Sequence, residues 1–279
     1  MPIDLRGKPI VITGASSGIG LATALACAQA GMPVILAARR LDRLREAEAT
    51  IINQGGKAVA LECDVAKDDD CTRLINESCA RFGPIYAVFA NAGFGFECGI
   101  EQSNPAQLRE IFEVNFWGTV RLYHAALPVL RARGDGHLLA CSSCLSKIAM
   151  PYFGAYSATK AAQDHISRAM RLELAGSGIH VSSVHPIRTR TEFFDETDRR
   201  SDPTGQTVRK RLAIMQPPER VADAVVACLR RPRGEVWTST SMRTALGLAT
   251  IFPRTADRLL SLALKRRMNR RAQEARPAP

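Results

Sequence analysis

The segment TGASSGIG, residues 13–20, constrains this chain more than any other, because it stands between an apolar run, IVIT, and a stretch of helical character. A strand that ends in a glycine-rich turn and passes into a helix leaves free N–H groups at the helix N-terminus, where the dipole favours an anion. Gly14, Gly18 and Gly20 let the turn close tightly and let a pyrophosphate approach the backbone, with Ser16, Ser17 and Ile19 filling the rest of the turn. A glycine turn alone is weak evidence. Here a second apolar strand ends near Ala38, so strand, turn, helix and strand form one β–α–β unit.

The same alternation continues for most of the chain. Strand-length apolar runs fall at Ile10–Thr13, Val34–Ala38, Ala58–Cys63, Ile85–Asn91, His137–Ser142, His180–Val184 and Glu235–Thr238. Helical stretches lie between them near 18–30, 42–54, 68–81, 105–132, 155–175 and 218–230. This is the pattern of an α/β, Rossmann-like doubly wound sheet of about seven parallel strands with helices on both faces. Residues 1–240 are expected to form this domain. Residues 188–218, rich in charge and proline, are too long for an ordinary connection and predict a substrate loop. Residues 241–279 predict a basic, partly amphipathic helical extension, its periodicity clearest from Ala256 onward.

Hydrophobic residues make up 46% and charged residues 23%, the balance of a folded globular protein. No secretory signal and no apolar run of membrane-spanning length is visible, so a cytoplasmic protein is expected. The net charge is +11, but residues 251–279 carry eight basic residues against Asp257 and Glu274, which is about half the excess. A mildly basic main domain argues against a nucleic-acid surface. The eight cysteines are scattered without a second close pair, which predicts reduced thiols and no metal site.

Two further readings concern cofactor and chemistry. A carboxylate at the end of the second strand would bind an adenosine ribose, but Ala38 stands there, followed by Arg39 and Arg40. A guanidinium can grip a 2′-phosphate, so NADP(H) is favoured over NAD(H), with Arg39 the first choice. In CSSCLSKIAMPYFGAYSATK, residues 141–160, the Cys141 and Cys144 pair has redox spacing but falls at a strand end. Tyr156 and Lys160 are four apart on a predicted helix and share a face, so the ammonium can stand near the phenol and lower its pKa. Ser143, at the end of the fifth strand, can hydrogen-bond a reacting oxygen.

Taken together, TGASSGIG, the NAG at 91–93, the asparagine of VNFWG, the serine 13 before the tyrosine and YSATK resemble the short-chain dehydrogenase/reductase family over roughly residues 7–240. The resemblance implies that Tyr156 protonates a carbonyl oxygen or deprotonates an alcohol. It implies that Lys160 also binds the nicotinamide ribose, Ser143 orients the carbonyl, and Asn115 holds a proton-relay water near Lys160. Asp64 and Val65 would flank the adenine; Asn91, Ala92 and Gly93 would line the cofactor cleft; Pro186, Ile187 and Thr191 would face the carboxamide. Family members form dimers or tetramers, so a homo-oligomer is implied.

The chain departs from the pattern at Ala90, and at Ile187, where a glycine is usual. A β-branched residue resists backbone conformations that glycine permits, which puts the backbone contact there in question. Phe94, Phe96, Met150, Tyr152, Phe153, Phe193 and Phe194 predict an apolar pocket for a small carbonyl or alcohol. For the tail, packing against protein is favoured over contact with an anionic membrane. The competing function is a non-catalytic dinucleotide sensor or scaffold acting through that tail.

Overall fold

The computed structural model describes residues 1–201 and 215–274, with side chains described to residue 266. The strands are β1 (Ile10–Thr13), β2 (Val34–Ala38), β3 (Ala58–Glu62), β4 (Ala87–Ala90), β5 (Gly136–Cys141), β6 (Ile179–His185) and β7 (Glu235–Trp237). They form one parallel sheet in the order β3-β2-β1-β4-β5-β6-β7. The helices are α1 (Gly18–Gln29), α2 (Leu41–Asn53), α3 (Asp68–Phe82), α4 (Pro105–Phe112), α5 (Gly118–Arg133), α6 (Gly154–Glu173), α7 (Phe193–Arg200), α8 (Pro218–Arg230), α9 (Thr240–Ile251) and α10 (Pro253–Glu274).

Both faces of the sheet are covered, so the strands are apolar throughout rather than alternating. Successive side chains still divide between two cores. Ile10, Ile12, Val34 and Leu36 pack with Ala24 and Cys27 of α1 and with Val221 and Val225 of α8. Val11, Ile35 and Ala37 point the other way, to Cys71 and Leu74 of α3 and Leu122 and Ala126 of α5. Strand order reverses between β1 and β4, and the crevice beyond the carboxyl ends of those strands is where a doubly wound sheet binds its ligand.

The helix expected over 105–132 is interrupted. Asn104 caps α4, accepting from Ala106 N at 2.8 Å with Pro105 at the first helical position, as its sequence suggests. Residues Glu113–Trp117 then open into a π-turn before α5 begins. The cause is Asn115, whose buried carboxamide grips the Phe94 backbone, with Oδ1 accepting from N at 3.0 Å and Nδ2 donating to O at 2.9 Å. One extra residue in the turn lets the side chain reach that loop, and π-turns of this kind cluster at functional sites.

The substrate loop expected at 188–218 contains α7, and its two ends are joined. Thr189 and Gln216 form an isolated parallel bridge, reinforced by Gln216 Nε2 donating to Thr189 Oγ1 at 3.0 Å. Residues 202–214 of that loop lie outside the described residues. The chain divides into two compact units, Met1–Ser239 and Thr240–Pro279. In the second, helix begins at Thr240, earlier than the periodicity from Ala256 suggests. No helix among the described residues is long and apolar enough to cross a membrane.

Candidate active site

At the nucleotide end the fit depends on the missing side chains of glycines. Gly14 and Gly18 adopt positive φ, +66° and +57°, a region L residues resist. A Cβ on Gly20 would stand 2.2 Å from the Gly14 carbonyl oxygen and 2.6 Å from Asn91 Nδ2. Asn91 holds the turn from below, donating to the carbonyls of Thr13 (3.0 Å) and Gly14 (3.3 Å). Ala92 rests against Gly14, and the Thr191 methyl closes over Gly18. The N-terminus of α1, starting after Ser17, therefore opens on a bare backbone cradle suited to a pyrophosphate.

Arg40, rather than Arg39, is the guanidinium that reaches this cradle. Its Nη2 donates to Ser16 Oγ (3.0 Å) and Ser17 Oγ (3.1 Å), and its Nη1 to Glu192 Oε2 (3.0 Å) just before α7. Arg39 is exposed. Glu192 was not legible as a site residue, because its partner lies 152 positions away. Asp64 accepts from the Ala66 amide, and Val65 is buried against the start of α5 at Gly118. The Pro186 carbonyl accepts from Cys144 N, Ile187 N donates to Thr238 Oγ1 at 3.4 Å, and Thr191 Oγ1 accepts from Phe193 N. Ile187 keeps a negative φ, so it relieves the steric conflict by not adopting a glycine-type conformation.

At the chemical end, β5 delivers Ser143 and the first turns of α6 deliver Tyr156 and Lys160. Ser143 caps a short 3₁₀ turn, Cys144–Lys147, its Oγ accepting from Leu145 N at 3.1 Å. Burial pushes the Tyr156 phenol well above the usual tyrosine range, reinforced by the Cys141 and Cys144 thiols and opposed by Ser143. Burial also lowers Lys160. The shared helix face does bring the two together, with Lys160 Nζ 5.8 Å from the Tyr156 ring centroid. The expected effect on the phenol is nevertheless reversed in this structure. The ammonium donates instead to the Cys141 carbonyl (2.7 Å) and Gln163 Oε1 (3.2 Å), and burial sets the direction of the phenol's shift.

Asn115 stands beside this group, as expected, but its polar atoms are committed to protein. Besides the Phe94 bonds, Nδ2 donates to Thr159 Oγ1 (3.1 Å), and the Asn115 backbone carbonyl accepts from Thr119 Oγ1 (3.0 Å) and Gln163 Nε2 (3.3 Å). Gly93 passes close by, where a Cβ would come within 2.9 Å of Asn115 Oδ1 and 3.4 Å of Lys160 Nζ.

Behind Ser143 lies a charged network absent from the sequence reading. His185 Nδ1 donates to the Ser143 carbonyl (3.1 Å), and its ring stacks on Trp237 at 4.5 Å and 15°. Burial keeps His185 low despite Asp164, whose Oδ1 lies 3.4 Å from Nε2. Asp164, His185 and Glu235 are near enough to hold a cation. The Lys147 ammonium takes that position, 2.6 Å from Asp164 and 2.9 Å from Glu235. The Cys141 and Cys144 thiols are both pushed up by burial, the opposite of a reactive pair, and all eight cysteines are free.

The aromatic residues divide into two groups. Phe94 and Phe96 pack with Ile111 and Ala155 in a small core beside Tyr156, and Arg200 covers the Phe94 ring at 4.0 Å. Phe153 and Phe193 are half-buried and meet the Tyr156 ring, at 6.5 and 5.3 Å between centroids, and Phe194 meets Phe193 at 5.5 Å. Met150 is half-buried in the segment leading to α6. In that segment Tyr152 has φ +67°, alone among non-glycine residues described, a strained conformation of a kind that gathers at ligand sites.

A doubly wound sheet with a dinucleotide cradle and an ionisable side-chain group at one crevice belongs to a nicotinamide-dependent oxidoreductase. The chain belongs to the short chain dehydrogenase family, whose model matches residues 8–202. It is 32% identical over 233 residues to an uncharacterized oxidoreductase of Listeria monocytogenes, covering 82% of this chain and 93% of that protein. An alcohol dehydrogenase from the archaeon Thermococcus sibiricus, complexed with 5-hydroxy-NADP, superposes with a TM-score of 0.73 at 29% identity, covering 82% of this chain and 95% of that one. A short chain dehydrogenase/reductase from Burkholderia phymatum in complex with NAD shares the fold at a TM-score of 0.82 and 21% identity, covering 91% and 96%.

Proposed function

We propose that this protein is an NADP(H)-dependent oxidoreductase that interconverts a carbonyl and a secondary alcohol on an apolar small molecule, with Tyr156 as acid and base. The observation that carries the reading is the meeting of Tyr156, Ser143 and Lys160 at one end of a crevice whose other end is the glycine cradle. The bound nicotinamide supplies or accepts the hydride. Ser143 orients the carbonyl oxygen, and the Tyr156 phenol gives it a proton. Because burial raises the phenol, it is protonated at neutral pH and suited to reduction. Alcohol oxidation needs the phenolate, so its rate should climb with pH while reduction falls off only at strongly alkaline pH.

Arg40, with Ser16 and Ser17, supports the choice of NADP(H), since a guanidinium and two hydroxyls beside the cradle suit a 2′-phosphate. Phe153 and Phe193 against Tyr156 support an apolar substrate. The test is the oxidation of NADPH and NADH against a panel of apolar ketones, aldehydes, diketones and steroids, with Arg40→Ala beside the parent. NADPH-selective turnover that loses its selectivity about tenfold in Arg40→Ala is expected, the loss of one charge-assisted contact. Equal use of both cofactors by the parent would overturn the NADP(H) assignment. Tight NADPH binding without turnover of any panel member would favour a sensor.

A further inference from the structure

Gln163 is a fully buried amide in the wall of the site, one turn beyond Lys160 on α6. A buried amide is costly unless its polar atoms are satisfied, and here both ends are bound to the same group of residues. Its Oε1 accepts from Lys160 Nζ at 3.2 Å, while Nε2 donates to Thr119 Oγ1 at 2.6 Å and to the Asn115 carbonyl at 3.3 Å. Thr119 in turn donates to that carbonyl at 3.0 Å. The orientation of the amide is thereby fixed, because only this orientation presents oxygen to the ammonium and nitrogen to the two acceptors.

We propose that Gln163 is a positioning residue that seats the Lys160 ammonium, tying it through Thr119 to the Asn115 turn so that α6 and the π-turn hold one fixed charge beside Tyr156. With the Cys141 carbonyl, Gln163 takes two of the three ammonium N–H groups. The third has no protein acceptor among the described residues. Burial disfavours the charged form of Lys160, and the two acceptors of the seat oppose that cost, since a hydrogen bond to the charged form favours it. The other ionisable groups facing it are the Tyr156 phenol and the Cys141 thiol, both held protonated by burial. The ammonium is thus the charge that Gln163 governs.

The inference rests on the proposed role of Lys160, but its test needs no substrate. Lysine labelled with 13C at Cε gives a signal that follows amine protonation, and Lys160→Arg assigns it by its disappearance. Gln163→Met, of similar size without an acceptor, should lower the Lys160 titration midpoint by about one pH unit, because a lost hydrogen bond disfavours the charged form. Gln163→Glu, which offers a stronger acceptor in the same place, should raise it above the parent. A residue that only fills space would not move the midpoint in opposite directions in the two variants. Midpoints unchanged in both, or moved in the same direction, would overturn the proposal. Should Gln163→Met not fold, Thr119→Val frees the far end of the amide and should lower the midpoint by a smaller amount, with no change again overturning it. Adding NADP+ to the parent tests the cofactor reading separately: an unmoved Lys160 signal would sink that reading without touching the seat.

Discussion

At the nucleotide end of the crevice the decisive contacts are between backbone atoms, and a single added methyl group at Gly20 would meet a carbonyl oxygen at 2.2 Å. At the chemical end they are between buried and half-buried side chains, where Ser143 and Gln163 surround two groups that titrate, Tyr156 and Lys160. The first region is shaped to suit an anion, with N–H groups that cannot titrate. The second holds ionisable groups, whose protonation burial shifts strongly. Damage should therefore differ in kind, with steric changes at one end abolishing binding and charge changes at the other altering turnover and its pH dependence.

The sharpest way to separate the two regions is Tyr156→Phe, which keeps the ring against Phe193 and removes the proton. It should lower kcat by roughly a thousandfold, within the range for a lost general acid, while NADPH affinity by fluorescence titration stays near the parent's. A parallel loss of affinity would show that the ends are not separable. Gly20→Ala is the converse. It should weaken NADPH binding about a hundredfold, a few kcal/mol of distortion in a cradle that cannot relax, without changing the pH at which residual turnover varies.

Lys147→Met probes the support behind Ser143. Burial alone would raise Glu235, but the Trp237 N–H and Lys147 hold its carboxyl at about 2. A carboxyl lowered on folding stabilises the protein above the unfolded value of about 4.3, and the contribution fades as pH falls toward 2. Removing the ammonium leaves Asp164 and Glu235 uncompensated. It should cost roughly 2 kcal/mol at pH 7 by urea unfolding, less than a fully buried pair because Lys147 and Glu235 are partly exposed. The loss should shrink as pH falls from about 4 toward 2, where Glu235 takes up its proton in the parent. The smallest effect belongs to Cys144→Ser. A half-buried thiol held protonated has no nucleophilic or redox part, so turnover should remain within about twofold, and a large loss would reopen the reading of the cysteine pair.

The order of strands and helices, the glycine cradle and the grouping of Ser143, Tyr156 and Lys160 were legible in the chain. Apolar runs buried on both faces, glycine turns and a four-residue helical spacing are local patterns, and local patterns are written in sequence. The break in the 105–132 helix was not legible, since it follows from a carboxamide reaching a loop 21 residues away. The same holds for Arg40 and Glu192, for Gln163 between Lys160 and Asn115, and for His185 behind Ser143. Even the sign of the Tyr156 shift escaped the sequence. Spacing placed a cation near the phenol, but only the packed structure fixed how dry the phenol is and which carbonyl and amide draw the cation inward. Fold class and the residue types that meet at the crevice follow from the chain alone, because periodicity and turn chemistry act over a few residues. The tertiary structure decided their partners and protonation, because desolvation and long-range hydrogen bonds exist only once the chain has packed.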